Sequence, residues 1–185
     1  MSHTTETVFS EFFLDELGFI FSNGSTAFLV DCVGKLEEEM ETKTITKGCR
    51  GRVKKSRTKG SKGTVTVTAH LPYDLKLKLY SMAQHATGVY GYGTESLHAE
   101  CAITAKVKDE DDNVQYRAYP VAVCNTKSTS VDDDATEVAM DELEFTVTAD
   151  DNEVIVYQAL ADDIDTTIAD AWMESFTPDL IAATA

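Results

Sequence analysis

Apolar and polar residues alternate one for one through the middle of the chain, the pattern of a strand with one buried face. In TVTVTAHL, Val65, Val67, Ala69 and Leu71 point one way, and Thr64, Thr66, Thr68 and His70 the other. CAITAKVK repeats this with Cys101, Ile103, Ala105 and Val107; DELEFTVTA does so with Leu143, Phe145 and Val147 opposite Glu142, Glu144, Thr146 and Thr148. EVIVYQAL is more apolar throughout and β-branched, which predicts a strand covered on both faces. TAFLVDCV, METKTITKGCRGRV and QYRAYPVAV complete a predicted set of about seven strands.

Turn chemistry separates them. DEDDN at 109–113 and ADDN at 149–152 are rich in Asp and Asn, which tolerate turn geometry; SNGS at 22–25 marks another turn and VDDDATE a solvated loop. Two segments break the period of two. PYDLKLKLYSMAQHA places Leu75, Leu79 and Met82 on one helical stripe behind Pro72. DDIDTTIADAWMESFTP spaces Ile164, Ile168 and Trp172 by four, with Asp162, Asp163 and Asp165 at its front and Pro178 past its end. Strands dominate, so the expected fold is mainly β (α+β): a β-sandwich or barrel-like domain with one or two short helices.

A chain of 185 residues predicts one domain that can bury about 70% of its unfolded surface without a metal or disulfide. VFSEFFLDELGFIF is interrupted by Glu11, Asp15 and Glu16, so it reads neither as a signal peptide nor as a membrane span. Cys32, Cys49, Cys101 and Cys124 form no CxxC and read as reduced thiols.

Charge changes the picture most. Sixteen Lys and Arg stand against 32 Asp and Glu, a formal net charge of −16. Yet Lys47, Arg50, Arg52, Lys54, Lys55, Arg57, Lys59 and Lys62 crowd one stretch with no acid among them. Lying between METKTITKG and TVTVTAHL, the stretch reads as a long hairpin protruding from the sheet. Gly60-Ser61-Lys62-Gly63 is its expected tip, and Arg50, Arg52 and Lys54 are expected on one strand face. A solvated hairpin is the bland reading, but eight unopposed cations repel one another and favour an acidic partner.

Catalytic chemistry finds no support. His98-Ala99-Glu100 has the His-x-Glu of zinc deaminases, but Cys124 is not followed by the second cysteine such a site needs. Asp109, Asp111 and Asn113 open like an EF-hand loop, but Val114 stands where Gly is required and Pro120 where the bidentate acid belongs. TGVYGYGTES lacks the Lys-Ser or Lys-Thr of a P-loop, and Tyr90 and Tyr92 are expected to pack at a loop or subunit edge. The expectation is no enzyme and no cofactor.

Three stretches carry a family likeness: GKLEEEMETKTITKGCRG, VTAHLPYDLKLKLYSM and AWMESFTPDL. Together, across roughly residues 34–180, they resemble the major tail proteins of long-tailed, non-contractile bacteriophages of Gram-positive hosts. The resemblance implies a structural virion protein: a β-sandwich-like subunit whose copies, six to a ring, stack into a hollow tail tube through which DNA passes at ejection. It implies a hairpin reaching the neighbouring ring, and as partners the chain itself, a tape-measure protein and tail terminator and tail-tip proteins, with no membrane. It implies assembly in the host bacterial cytoplasm and final location in the virion. Residues 1–23 match less well and are expected as an N-terminal arm, with 24–185 as the tube domain. The eight hairpin cations are then candidates for contacts between rings or subunits. Glu37, Glu39 and Glu41, which share one strand face, and Glu142 and Glu144 are candidates for an acidic lumen that repels DNA, the alternative for them being an outer solvated face. Two rivals remain: a tube subunit of a contractile tail or secretion machine, and a nucleic-acid-binding module using hairpin 47–62. Against the latter, no aromatics interleave the cations for base stacking.

Overall fold

The computed structural model describes residues 9–22, 27–49, 52–125 and 138–182, with backbone alone at 47–49, 52–55 and 182. The sheet strands are β1 (Phe13–Phe21), β2 (Phe28–Val30), β3 (Val33–Cys49), β4 (Arg52–Ala69), β7 (Glu100–Lys108), β8 (Val114–Cys124), β9 (Asp141–Thr148) and β10 (Tyr157–Leu160). A separate small hairpin is made of β5 (Ala83–Ala86) and β6 (Val89–Gly91). The helices are α1 (Tyr73–Leu79), α2 (Thr166–Ser175) and α3 (Pro178–Ala182). The main sheet runs β2-β1-β7-β8-β9-β4-β3, every neighbour antiparallel, with β10 added on β8. The fold is mainly β, as the alternation predicts.

β8 bends the sheet. Its first half (Gln115–Ala118) pairs with β10 and its second (Val121–Cys124) with β9. At the changeover Cys101 pairs with Ala122 and Ile103 with Tyr119, so Pro120 and Val121 together oppose Ala102. Such a bulge kinks a strand, and proline, lacking an N–H to give a ladder, is tolerated there. The sheet curls until the rings of Phe19 on β1 and Phe145 on β9 stand 5.9 Å apart. Leu17, Phe19, Val65, Val67, Ile103, Tyr119, Leu143, Phe145 and Val147 fill the enclosed core, and α1 adds Leu75 and Leu79.

A second, smaller core lies on the other face of β1, β7 and β8, where α2 and α3 bring Ile168, Trp172, Met173 and Phe176 onto Ala118 and Ile20. Trp172 Nε1 donates to the Arg117 carbonyl at 3.1 Å. The helix comes so close that a Cβ on Gly18 would stand 2.3 Å from Thr104 Oγ1 and 2.7 Å from the Met173 carbonyl oxygen. Asp165 caps α2, accepting from Thr167 N at 2.8 Å, and that bond holds its carboxyl below the usual range.

Several sequence expectations are corrected. The N-terminal segment is not an arm apart from the domain: β1 lies inside the sheet between β2 and β7, with Leu17, Phe19 and Phe21 in the core. Residues 1–8 lie outside the described residues. The apolar run EVIVYQAL gives only the four-residue β10, because Asp150 folds its first part into a turn. Asp150 Oδ1 accepts from the backbones of Asn152 and Val154 (2.9 and 3.0 Å), and Oδ2 from the Tyr157 hydroxyl (2.7 Å). The first helix ends at Leu79, and the positive φ of Ser81 (45°) turns the chain before Met82 can extend the stripe. DEDDN is the turn expected: Asp109 Oδ1 accepts from Asp111 N at 2.9 Å and Asn113 N at 2.8 Å.

Candidate functional site: a cationic arm and an acidic sheet face

β3 and β4 form one hairpin in two parts. In the root, Val33–Glu41 pairs with Lys62–Ala69, and β4 from Gly63 to Ala69 also pairs with β9. Beyond Gly63 β9 ends, and the two strands run on alone to Cys49 opposite Arg52. At about 3.4 Å per residue this arm reaches roughly 25 Å past the sheet. Thr42–Thr46 and Ser56–Lys62 are exposed.

Strand pairing continues past Gly60–Gly63 out to Cys49 and Arg52, so those glycines are not the hairpin's tip; residues 50–51 lie outside the described residues. Those glycines belong to the arm's base. A Cβ on Gly63 would meet Met40 Sδ at 2.4 Å and the Glu39 carbonyl oxygen at 3.1 Å, so close strand packing and not a turn requires glycine there. Ser61 is an extra residue, because Glu41 pairs with Lys62 but Thr42 with Gly60. The bulge returns Lys62 to the face of Lys59 despite their odd spacing. Lys54 is a second extra residue, between the pairs Lys47–Lys55 and Gly48–Val53. The expected shared face of Arg50, Arg52 and Lys54 lies outside the described side chains.

Register sorts the arm into two faces. On one, Lys43 faces Lys59 and Ile45 faces Arg57, with Lys47 opposite Lys55 farther out by backbone pairing. On the other lie Thr42, Thr44, Thr46, Ser56 and Thr58; Thr44 and Thr58 share a hydroxyl hydrogen bond at 3.0 Å. Lys62 pairs with Glu41 at 3.3 Å at the base. Among the described residues no carboxylate pairs with Lys43, Arg57 or Lys59. Like charges directly opposite in a ladder repel, so the arm is built against itself.

The candidate acids come together in the root. On β3, Leu36 and Met40 pack against the core while Glu37, Glu39 and Glu41 point out. On β4, Val65, Val67 and Ala69 point in, leaving Thr64, Thr66 and Thr68 on the outer side. Glu144 pairs with Thr66 and Glu142 with Thr68, and Thr66 pairs in turn with Glu37. All five glutamates thus share the outer face of β9-β4-β3, interleaved with threonines. Glu37 holds Lys35 at 2.6 Å, and Glu144 accepts from Asn125 Nδ2 at 2.8 Å. The face is continuous with the arm's cationic face, since Glu37, Glu39, Glu41 and Lys43 are alternate residues of one strand.

Contacts that sequence reasoning missed anchor the arm's root. Glu38, facing inward, accepts from the hydroxyl of buried Tyr119 at 2.5 Å, tying β3 across the core to β8. Burial and this bond both push the Tyr119 hydroxyl well above its ordinary pKa. Nearby Arg117 is buried, paired with Glu11 and bonded to Gln115 Oε1 at 3.0 Å. On β1, Asp15 is the extra residue of a bulge and receives Lys106 and Lys108 at 3.1 and 3.0 Å. Burial alone would raise its pKa, but the two lysines outweigh it and lower it. The alternation of Glu38 with Leu36 and Met40 was the available signal that it faces inward.

Elsewhere, Tyr92 and His98 share a hydrogen bond at 2.8 Å, and His98 Nδ1 donates to the Cys124 carbonyl at 2.6 Å. Tyr80 packs edge-on to Tyr92 and tilted against His98, the pKa of its hydroxyl pushed up to about 12 by burial and by neighbouring Cys124, Asp141 and Tyr92. Tyr90 lies edge-on to Tyr73. Among the described residues no group of three or more His, Cys, Asp or Glu is arranged to hold a metal ion, and no helix is long and apolar enough to cross a membrane.

No family model and no curated protein matches the sequence. Among solved structures, similar chains occur in the cryo-EM structure of the anti-feeding prophage baseplate (14% identity, TM-score 0.46, covering 86% of this chain and 97% of that one). Another is in the sheath–tube complex of an extracellular contractile injection system, PVC, in the extended state (11%, TM-score 0.49, 87% and 99%). A third is in the tube-terminating cap of the anti-feeding prophage (11%, TM-score 0.45, 87% and 100%). With TM-scores below 0.5, these likenesses carry no functional conclusion for this chain.

Proposed function

We propose that the chain is a structural subunit that assembles with its own copies, through rings, into a hollow tube of the bacteriophage tail kind, as the sequence resemblance to major tail proteins implies. One observation carries the reading: a self-repelling two-stranded arm projects from a body that has its own complete core. Isolated hairpins are marginal at best in water, and exposed edges invite pairing with other chains. An arm of this length, cationic on one face and with no described strand along either outer edge, gains its stability from a surface outside its own subunit. An acidic copy of the same chain is such a surface.

In this reading the glutamate–threonine face turns toward the bore, where its charge repels the phosphates of passing DNA. A tape-measure protein inside the tube and terminator and tip proteins at its ends complete the tail.

Negative-stain electron microscopy of the purified protein, concentrated at low and at high salt, is the test. The expected outcome is annular rings or hollow tubes that thin out at high salt, with the Glu142 and Glu144 face inward in a reconstruction. Protein that stays monomeric and binds duplex DNA instead, with a log–log salt slope near −7 for eight engaged cations, replaces the tube reading with nucleic-acid binding.

A further inference from the structure

Resting on that reading, we propose where the arm seats: along the open edge of β3 in a second copy, as added strands, with its cations beside Glu37 and Glu39. Among the described residues β3 is the last strand of the sheet, paired on one side only. Near its start, β1 comes close across a cleft of about 230 Å³ lined by Phe12, Phe13, Leu14, Gly34, Lys35 and Leu36. From Glu37 outward no described strand flanks it. The arm carries the matching half, since β4 from Arg52 to Lys62 has β3 on one side and no described strand on the other. The two bare edges are of comparable length.

Direction, face and charge all agree. β4 runs antiparallel to β3, so a second copy in the same orientation offers its β4 edge antiparallel to the receiving β3, the pairing used throughout this sheet. Equal orientation also makes the outer faces coincide. Arg57 and Lys59, opposite Ile45 and Lys43, occupy the face that carries Glu37, Glu39 and Glu41 lower on the strand. Added at the edge, they become direct cross-strand neighbours of those glutamates at about 4.5–5.5 Å between Cβ atoms, where opposite charges stabilise. A slip of one residue would turn the cations to the other face, over Leu36 and Met40. Charge therefore fixes the register of the contact. The contact is head-to-tail, with a different patch on each partner, so it propagates from copy to copy. It leaves Glu142 and Glu144 uncovered.

Charge reversal tests this. In one variant Lys43, Arg57 and Lys59 become Glu; Lys43 is included so that no new ion pair forms across its rung with position 59. In a second, Glu37 and Glu39 become Lys. In a third all five changes are combined. All are exposed positions, and unchanged melting of the monomer verifies folding. Assembly is read by sedimentation velocity over a concentration series on nuclease-treated protein. Each single reversal is expected to raise the concentration needed for assembly by about tenfold or more. The five-fold variant, and a one-to-one mixture of the first two, are expected to return to the wild-type value. Arm reversal without effect overturns the contact while leaving the tube reading intact. Loss in the single variants without recovery in the combined one also overturns it, because the arm then seats elsewhere. Wild-type protein that stays monomeric at every concentration overturns both.

Discussion

The β3–β4 hairpin is two regions with one sequence pattern. In the root, alternate residues of both strands enter the core, and every rung is braced by β9 or by the opposite wall of the curled sheet. In the arm, the same alternation continues as Lys and Ile against Thr, but among the described residues Thr42–Thr46 and Ser56–Lys62 stay exposed. The comparison teaches that strict alternation specifies a strand, while burial needs something to bury against. It shows also in how lysine is handled. In the body Lys106 and Lys108 converge on Asp15, whereas in the arm Lys43 meets Lys59. In the root Leu36, Met40, Val65 and Val67 pack into the core, whereas among the described residues no carboxylate pairs with Lys43, Arg57 or Lys59.

Deleting side chains on the apolar side should give the largest contrast. Phe145, fully buried against Phe19, is expected to cost about 3–5 kcal/mol on Phe145→Ala. Ile45→Ala, at a position 54% exposed, should leave monomer stability within about 0.5 kcal/mol in the same urea titration. Equal losses would mean that the arm packs on its own body.

Backbone crowding sharpens the boundary. Gly63→Ala is expected to destabilise by about 1–3 kcal/mol, since its Cβ would press on the Glu39 carbonyl and Met40. Three residues outward, Gly60→Ala meets only Ile155 Cδ1 at 3.5 Å and should stay within about 0.5 kcal/mol. A cost at Gly60 matching that at Gly63 would move the root's limit into the arm.

The smallest effect concerns the paired lysines. Because Lys108 and Lys106 hold the folded pKa of Asp15 below its ordinary 3.8, its contribution is complete above that value and is lost as pH falls through the lower folded pKa. Acid titration of Asp15→Asn should thus show a shallower stability loss below about pH 4 than wild type. Identical slopes would mean that the ion pairs add nothing.

Much of this was legible in the sequence. The strands at 64–69, 101–108 and 141–148 follow from alternation, and the two turns from their aspartates. α2 follows from the spacing of Ile168 and Trp172 and the capping Asp165. The glutamates of β3 and β9 were identified separately from their own strands, but that they share one face depends on β4 lying between those strands, a long-range pairing that no local pattern records. Residues 1–23 were set apart because they match the tail-protein likeness less well than the rest of the chain. Their alternating Leu17, Phe19 and Phe21 nevertheless mark an interior strand. The hairpin's turn was misplaced because Gly60 and Gly63 have turn-like composition, whereas their reason is close approach and a bulge.

By itself the sequence determined that strands dominate, that acids and bases are segregated, and that a cationic ribbon lies between two alternating segments. These are consequences of side-chain period and charge, which are local properties. Only the tertiary structure decided that the ribbon outruns the sheet, that its cations face each other across the rungs, and that they continue the face bearing the five glutamates. Those depend on where β9 stops, on single-residue bulges at Ser61 and Lys54, and on a curl at Pro120 that gives the root a core and leaves the arm without one.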